Sequence, residues 1–295
     1  MPCQHQLRDR YFWCYYTDAG TANTTSSAVC MSLLTNFFGR HDKSNPLLEN
    51  CSIAGGSHVG RVRRHNEDAY VCACNSWDNA VLLGVADGMG GHEGGEIASY
   101  IATRSLLSEW ICNGHANFSC KADVRDFLSR SLCSANDHIY SVNQKLNIRW
   151  KMGTTVTMGV VWRNKLTVAQ VGDSRCYRMR NGNIKLLTSD HNWMNEMIEN
   201  GGMSPEEAEA HPLAQTLTNC VGTFENLRID FGEHTIAKGD RFLFCSDGLS
   251  SYIDVELISE QLNGYDTACT AVRRLVDVSL TSSGADNITA VCLFI

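Results

Sequence analysis

The chain predicts an α+β layered fold in which antiparallel strands are interleaved with long helices. Three observations carry that expectation. Apolar residues recur three and four apart over 97–111 and again over 124–146, the period of helices buried along one face. From residue 154 the period changes, and short apolar runs follow one another with turn residues between them. Finally, four of the apolar runs end or begin at an aspartate: Asp87, Asp173, Asp247 and Asp286.

Taken in order, residues 1–52 show no periodicity. They hold an aromatic cluster at 11–16 and a small polar stretch at 21–27, and Met31 opens a more ordinary start. They are expected to form an extension ahead of a single domain spanning 53–295. Residues 69–74 read as a strand, and so do 79–86, which lead into Asp87. Five glycines follow within eight residues (88–95), and a helix is expected from 96 to about 111. A second helix is marked by Val124, Phe127, Leu128, Leu132, Ala135, Ile139, Val142 and Leu146. Strands are expected at 154–162, 165–171 and 175–180. The last turns back through Asn181-Gly182 into 184–188, a pairing that suits a type I′ hairpin. Residues 191–200 suggest a short helix. Ser204-Pro205-Glu206-Glu207 reads as a helix start with a capping box. Strands at 227–236 and 241–245 precede helices at about 254–262 and 266–280, each with an aspartate cap, Asp254 and Asp266. The chain ends in a strand over 288–295.

Composition narrows the function. Of 295 residues 43% are hydrophobic, enough for a sizeable core, and the net charge is −7. An acidic chain without a basic stripe argues against a nucleic-acid partner. No run of about 18 apolar residues offers a membrane span. The 14 cysteines include Cys72, Cys176, Cys245 and Cys292, which sit inside apolar patterns as small hydrophobes do. No signal peptide is recognised, and reduced thiols in a cytoplasm are the expectation.

The acid-terminated runs carry the chemistry. A carboxylate at a strand end beside a bare glycine backbone offers oxygen ligands, which suit a hard cation such as Mg²⁺ or Mn²⁺. One Asp-Gly is usually only a polar turn. Four such acids could meet at one sheet edge, where their mutual repulsion calls for cations between them.

Six motifs in order then resemble a known family: Val62-Arg63-Arg64-His65-Asn66-Glu67-Asp68, Asp87-Gly88-Met89-Gly90-Gly91-His92, Gly153-Thr154-Thr155, Val171-Gly172-Asp173-Ser174-Arg175, Ser246-Asp247-Gly248-Leu249 and Asp286-Asn287-Ile288-Thr289. Residues 53–295 resemble the metal-dependent protein phosphatases, the protein phosphatase 2C or PPM family, in its bacterial-type branch. The resemblance implies a β-sandwich of two antiparallel sheets flanked by helices, with the site at one edge. It implies two Mg²⁺ or Mn²⁺ ions: Asp87 bridging, the Gly88 carbonyl on one ion, Asp247 and Asp286 on the other. Glu67 and Asp68 would act through waters held by the metals. Asp173 would belong to a third, weaker site, and Arg63 would bind the substrate phosphate. Asn219 stands where family members often carry arginine, inside a variable flap at about 191–222.

The implied activity is hydrolysis of phosphoserine and phosphothreonine in proteins by an activated water, without a phosphoenzyme, opposing a serine/threonine kinase, from a chain expected to be a cytoplasmic monomer. A guanidinium fork matches phosphate oxygens, which suits Arg63. Arg61 and Arg64 lie alongside it, and spacing to Asn66-Glu67-Asp68 selects Arg63. A serine alkoxide leaves poorly, and His92 on the glycine turn is the candidate acid. Neither a Cys-x₅-Arg loop nor a nucleotide P-loop is present. Two other classes stay open. One is a phosphoprotein-binding adaptor with weak or no turnover. The other is a metal-dependent nucleotide hydrolase, for which Trp193 is a candidate base-stacking residue.

Overall fold

A computed structural model describes residues 47–48, 51–75, 80–90, 94–113, 118–146 and 151–295. The chain runs β1 (Ser52–His58), β2 (Asp68–Asn75), β3 (Ala80–Met89), α1 (Gly94–Asn113), α2 (Lys121–Leu146), β4 (Gly153–Thr154), β5 (Val156–Trp162), β6 (Lys165–Val171), β7 (Arg175–Arg180) and β8 (Asn183–Leu186). It continues α3 (Trp193–Glu199), α4 (Pro205–Glu209), β9 (Asp230–Thr235), β10 (Arg241–Cys245), α5 (Asp247–Ser250), α6 (Val255–Asn263), α7 (Ala268–Ser282) and β11 (Ile288–Phe294).

Two antiparallel sheets form. One has the order β1-β11-β10-β7-β8, the other β2-β3-β5-β6-β9 with the short β4 on β3. Strand alternation explains the layering. Along β3, Val81, Leu83 and Val85 point between the sheets and pack with Leu166, Phe242, Phe244 and Val291. The intervening Ala80, Leu82 and Ala86 point outward, under the apolar stripes of α1 and α2. The other sheet does the same with Leu243, Cys245, Ala290 and Cys292, which meet α6 and α7. The result is four layers, helices–sheet–sheet–helices. Each large side chain fully buried this way is worth roughly 1.5–3 kcal/mol. Cys72, Cys176, Cys245 and Cys292 are all buried and free.

Several boundaries differ from the sequence expectation. β1 is a strand that periodicity did not announce, because Gly55 and Gly56 interrupt its pattern. The Tyr70 ring occupies the space where a Gly55 side chain would stand. Leu48, ahead of it, is buried in the inter-sheet core. β3 continues past Ala86 to Met89, because Gly88 and Met89 pair with β4. The run 154–162 breaks at Thr155, whose neighbours pair to different partners. The run 227–236 is strand only over Asp230–Thr235. The cap of α7 is Thr267, whose side chain accepts from the Thr270 N–H, and not Asp266. Asp254 caps α6 and Ser204 closes a full capping box, as read from the sequence. The Asn181-Gly182 turn has both residues at positive φ, 52° and 75°.

Candidate active site

Neighbouring strand ends from both sheets deliver the acids to one edge of the sandwich. Asp68 opens β2 and stands directly across from Asp87 on β3. The Asp87 backbone is held on both sides. Its N–H donates to Thr155 Oγ1 at 3.0 Å, and its carbonyl accepts from Thr154 Oγ1 at 2.9 Å and from the Thr155 N–H at 2.8 Å. Gly88 donates its N–H to the Glu67 carbonyl at 3.0 Å. Any side chain there would collide with the Gly95 and Glu67 carbonyls, so the position requires glycine. Asp173 follows β6 after Gly172, whose φ of 102° turns the chain sharply. Asp247 begins α5, and Asp286 lies just ahead of β11.

These elements enclose a cavity of about 450 Å³. Arg63, Glu67, Asp87, Gly88, Asp173, Asp247 and Asp286 all line it. Asp68 lies beneath rather than on the wall. It is buried, and its Oδ2 accepts from Ser246 Oγ at 2.8 Å and Thr289 Oγ1 at 2.6 Å. Its Oδ1 is buried without a hydrogen-bond partner. Arg63 donates to Asp286 Oδ2 at 2.8 Å, and its side chain is half exposed. His92 lies outside the described residues.

The electrostatics follow from crowding. Burial, then the charges of Asp68, Asp247 and Asp173, push the Asp87 carboxyl well above the usual carboxylate range. Burial raises Asp68 to about 7 against the two hydroxyl bonds that favour its charged form. Asp173 also rises to about 7, through burial and then Asp247 and Asp190. Asp247 is raised by burial, with its hydrogen bond to Asp87 opposing. Glu67 is raised by burial, with Arg63 opposing.

This donor set fits hard divalent cations. It is all oxygen, strongly acidic, and short of positive charge, and it leaves Asp68 Oδ1 an orphan. Among the described residues no three Asp, Glu, His or Cys side chains stand together as a ready grip on one ion. Asp286 is turned toward Arg63 instead. The fit therefore rests on adjacent carboxylates, the Gly88 backbone and water.

Several residues that position the site were not singled out from the sequence. Asn287 accepts the Glu67 N–H at 2.8 Å and donates to the Val59 and His65 carbonyls, both at 2.9 Å. It ties the arginine loop to the strand bearing Asp286. Ser246, Thr289 and Thr155 hold Asp68 and Asp87. The signal available was their place inside the motifs, with Ser246 and Asn287 directly beside an acid.

The flap contributes Gln215 and Leu217 to the cavity. Asn219 does not line it. It is buried, with its Nδ2 2.8 Å from His191 Nδ1 and 2.8 Å from the Arg228 carbonyl. Trp193 does not line it either. Its ring stacks on His211 with centroids 4.1 Å apart, so one face is already taken.

Comparison with known proteins agrees with this geometry. The family described as Protein phosphatase 2C matches residues 52–197. Protein phosphatase PhpP of Streptococcus pneumoniae is 33% identical over 231 residues, covering 78% of this chain and 92% of that protein. The solved serine/threonine phosphatase of S. agalactiae superposes with a TM-score of 0.77 at 31% identity, covering 83% of this chain and 99% of the other. The catalytic domain of the serine/threonine protein phosphatase PstP, solved in complex with two manganese ions, matches with a TM-score of 0.70 at 28% identity over 83% of this chain and 97% of that one. With the sandwich, the motif order and these relatives in agreement, the chain belongs to the protein phosphatase 2C family of metal-dependent protein phosphatases.

Proposed function

We propose that the chain is a Mn²⁺- or Mg²⁺-dependent protein serine/threonine phosphatase that hydrolyses phosphoserine and phosphothreonine directly with water. The observation that carries this reading is a single cavity walled by five carboxylates and two arginines, Arg63 and Arg64, of which Arg63 donates to Asp286. In the proposal, Asp87, the Gly88 carbonyl, Asp247 and Asp286 hold two metals, Asp173 serves a third, and Glu67 and Asp68 support them through water. Bound divalent ions make water a competent nucleophile at neutral pH and offset charge on phosphoryl oxygens.

The chain's own residues do the rest. The Arg63 guanidinium, half exposed at the cavity, can exchange Asp286 for two phosphoryl oxygens. Asn287 and the Gly88–Glu67 bond keep Glu67 facing the cavity. Ser246 and Thr289 fix Asp68 beneath it. Water oxygen bonds to phosphorus as the bond to the serine or threonine oxygen breaks, and the leaving oxygen takes a proton. His92, five residues beyond Asp87, is the proposed donor. Relatives named as serine/threonine phosphatases support phosphoproteins as substrates and an opposing kinase as the partner. Among the described residues no helix is long and apolar enough to cross a membrane. A cytoplasmic monomer is the proposed setting.

The deciding experiment measures Mn²⁺-dependent turnover of a phosphothreonine peptide against a nucleotide panel. Peptide turnover with nucleotides inert is expected, and Asp247→Asn should lower it by orders of magnitude. Near-wild-type turnover of that variant at saturating Mn²⁺ sinks the assignment. Peptide binding without turnover would favour the adaptor. His92→Ala should lose far more rate on the peptide than on p-nitrophenyl phosphate, whose leaving group needs little protonation.

A further inference from the structure

Away from the active-site cavity, three basic side chains meet at the open side of the sandwich. Arg178 lies on β7, with Lys185 directly across from it on β8 and Phe242 on its other flank. Cross-strand partners share a face. Phe242 is packed in the inter-sheet core, so Arg178 and Lys185 point into that layer as well. His234, on β9 of the opposite sheet, stands across from Leu166, another residue of the same core. The His234 ring folds back over Gly232, with Nε2 2.8 Å from where a Gly232 side chain would begin. Three cationic or protonatable groups from two sheets thus face one interior edge.

Nothing answers them. Arg178 Nε and His234 Nε2 are both buried without a hydrogen-bond partner. Asp240, on the turn between β9 and β10, is engaged by Arg180 through two bonds of 2.6 Å. Glu233 lies on the outward face of β9, beside Lys165 and Lys121. Among the described residues no carboxylate pairs with Arg178, Lys185 or His234. Burial and the two neighbouring positive charges both lower the basicity of His234.

Like charges directly opposite in a sheet repel, and an unmet buried N–H is costly. An inward-pointing charge can guard a sheet edge against pairing. One exposed lysine would serve that purpose, and it would leave no buried nitrogen unpaired. We propose that Arg178, Lys185 and His234 form a binding site for a small oxyanion of the phosphate type, separate from the active-site cavity. Arg178 supplies the guanidinium donors and His234 a ring N–H. Lys185, the exposed member, marks the side from which the anion enters.

The test uses the full chain and inorganic phosphate at constant ionic strength. The His234 ring signals, assigned by their loss in His234→Gln, are followed by NMR. A saturable shift is expected. Arg178→Met and the exposed Lys185→Gln should each weaken it by about tenfold or more. Arg63→Ala, altered only in the active-site cavity, should leave it intact. Removing the buried, unpaired Nε–H of Arg178 and its repulsion of Lys185 should also raise the Tm of Arg178→Met in oxyanion-free buffer, while abolishing stabilisation by phosphate at this site. A shift that never saturates, one reproduced by chloride, or one lost in Arg63→Ala would overturn the proposal. So would a fall in Tm for Arg178→Met with phosphate stabilisation unchanged.

Discussion

Arg63 and its neighbours show how one position in a run of similar residues becomes distinct. Arg61, Arg63 and Arg64 share a charge, but the Arg61 backbone is tied to Gly284 and only Arg63 reaches an acid of the cavity. Arg63→Ala is therefore expected to raise the Michaelis constant and weaken product inhibition by phosphate, while Arg64→Ala does little. Steady-state kinetics with phosphate as inhibitor read this directly, and a worse Arg64→Ala would shift the role by one residue. Asn287 is the structural counterpart. Its amide serves one backbone N–H and two carbonyls. Asn287→Ala strands those groups at roughly 1–3 kcal/mol for each one left buried and unpaired. Its denaturant midpoint should fall clearly, and activity should fall with it, because Glu67 loses its anchor. Asn287→Asp keeps the acceptor and loses the donors, so it should lie between.

At the scale of elements, the flap is joined to the turn bearing Asp173 through one histidine. The His191 N–H donates to the Gly172 carbonyl at 3.0 Å, and its Nδ1 accepts from the Gly172 N–H at 3.2 Å. Asn219 Nδ2 stands 2.8 Å from the same Nδ1, which places the ring proton on Nε2. That nitrogen lies 3.1 Å from Asp230 Oδ2 without hydrogen-bond alignment. Burial lowers the basicity of His191 below its ordinary 6.5, with Asp230 and Glu196 opposing and Arg228 assisting. Below about 6.5 the unfolded chain binds a proton that the folded ring refuses. This contribution to stability is thus full above 6.5 and lost as pH falls toward the lowered folded value. Comparing denaturant midpoints across that window should show a steeper acid loss in the wild type than in His191→Gln. Equal slopes would mean that the ring takes its proton without cost.

The same elements show what was legible in advance. The long helices, the hairpin at Asn181-Gly182 and the strands 165–171, 175–180 and 241–245 were readable because local period and turn chemistry agree with the tertiary fold. β1 was not, since two glycines chosen to admit Tyr70 and Val272 erase its alternation. The acids of the cavity announced themselves at strand ends. The groups that hold them, Thr155, Ser246, Asn287 and Thr289, act across contacts far apart in sequence, which periodicity does not report. Arg178 and His234 were hidden for the same reason: each looks like an ordinary outward charge until register turns it inward.

For the molecule as a whole, the inter-sheet core decides where the fold begins. The five carboxylates and two arginines at the cavity wall all lie after residue 60, which suggests that a chain starting at Ser52 would suffice. Leu48 argues otherwise. It is 3% exposed and packs with Ile53, Tyr70 and Leu293 in the layer between the sheets, with Leu47 packed against the same cluster. Removing it uncovers an apolar patch at the β1 edge and forfeits roughly 1.5–3 kcal/mol of burial. Two chains make the comparison, one beginning at Leu47 and one at Ser52. Both should fold and turn over a small aryl phosphate, because every motif is retained. The chain from Ser52 should unfold at a lower temperature, by several degrees for a loss of this size. Equal melting temperatures would show that Leu48 is dispensable and that the domain starts with β1. An insoluble product from both would mean that residues before Leu47 pack on the sandwich as well, with the aromatic cluster at 11–16 the first stretch to restore.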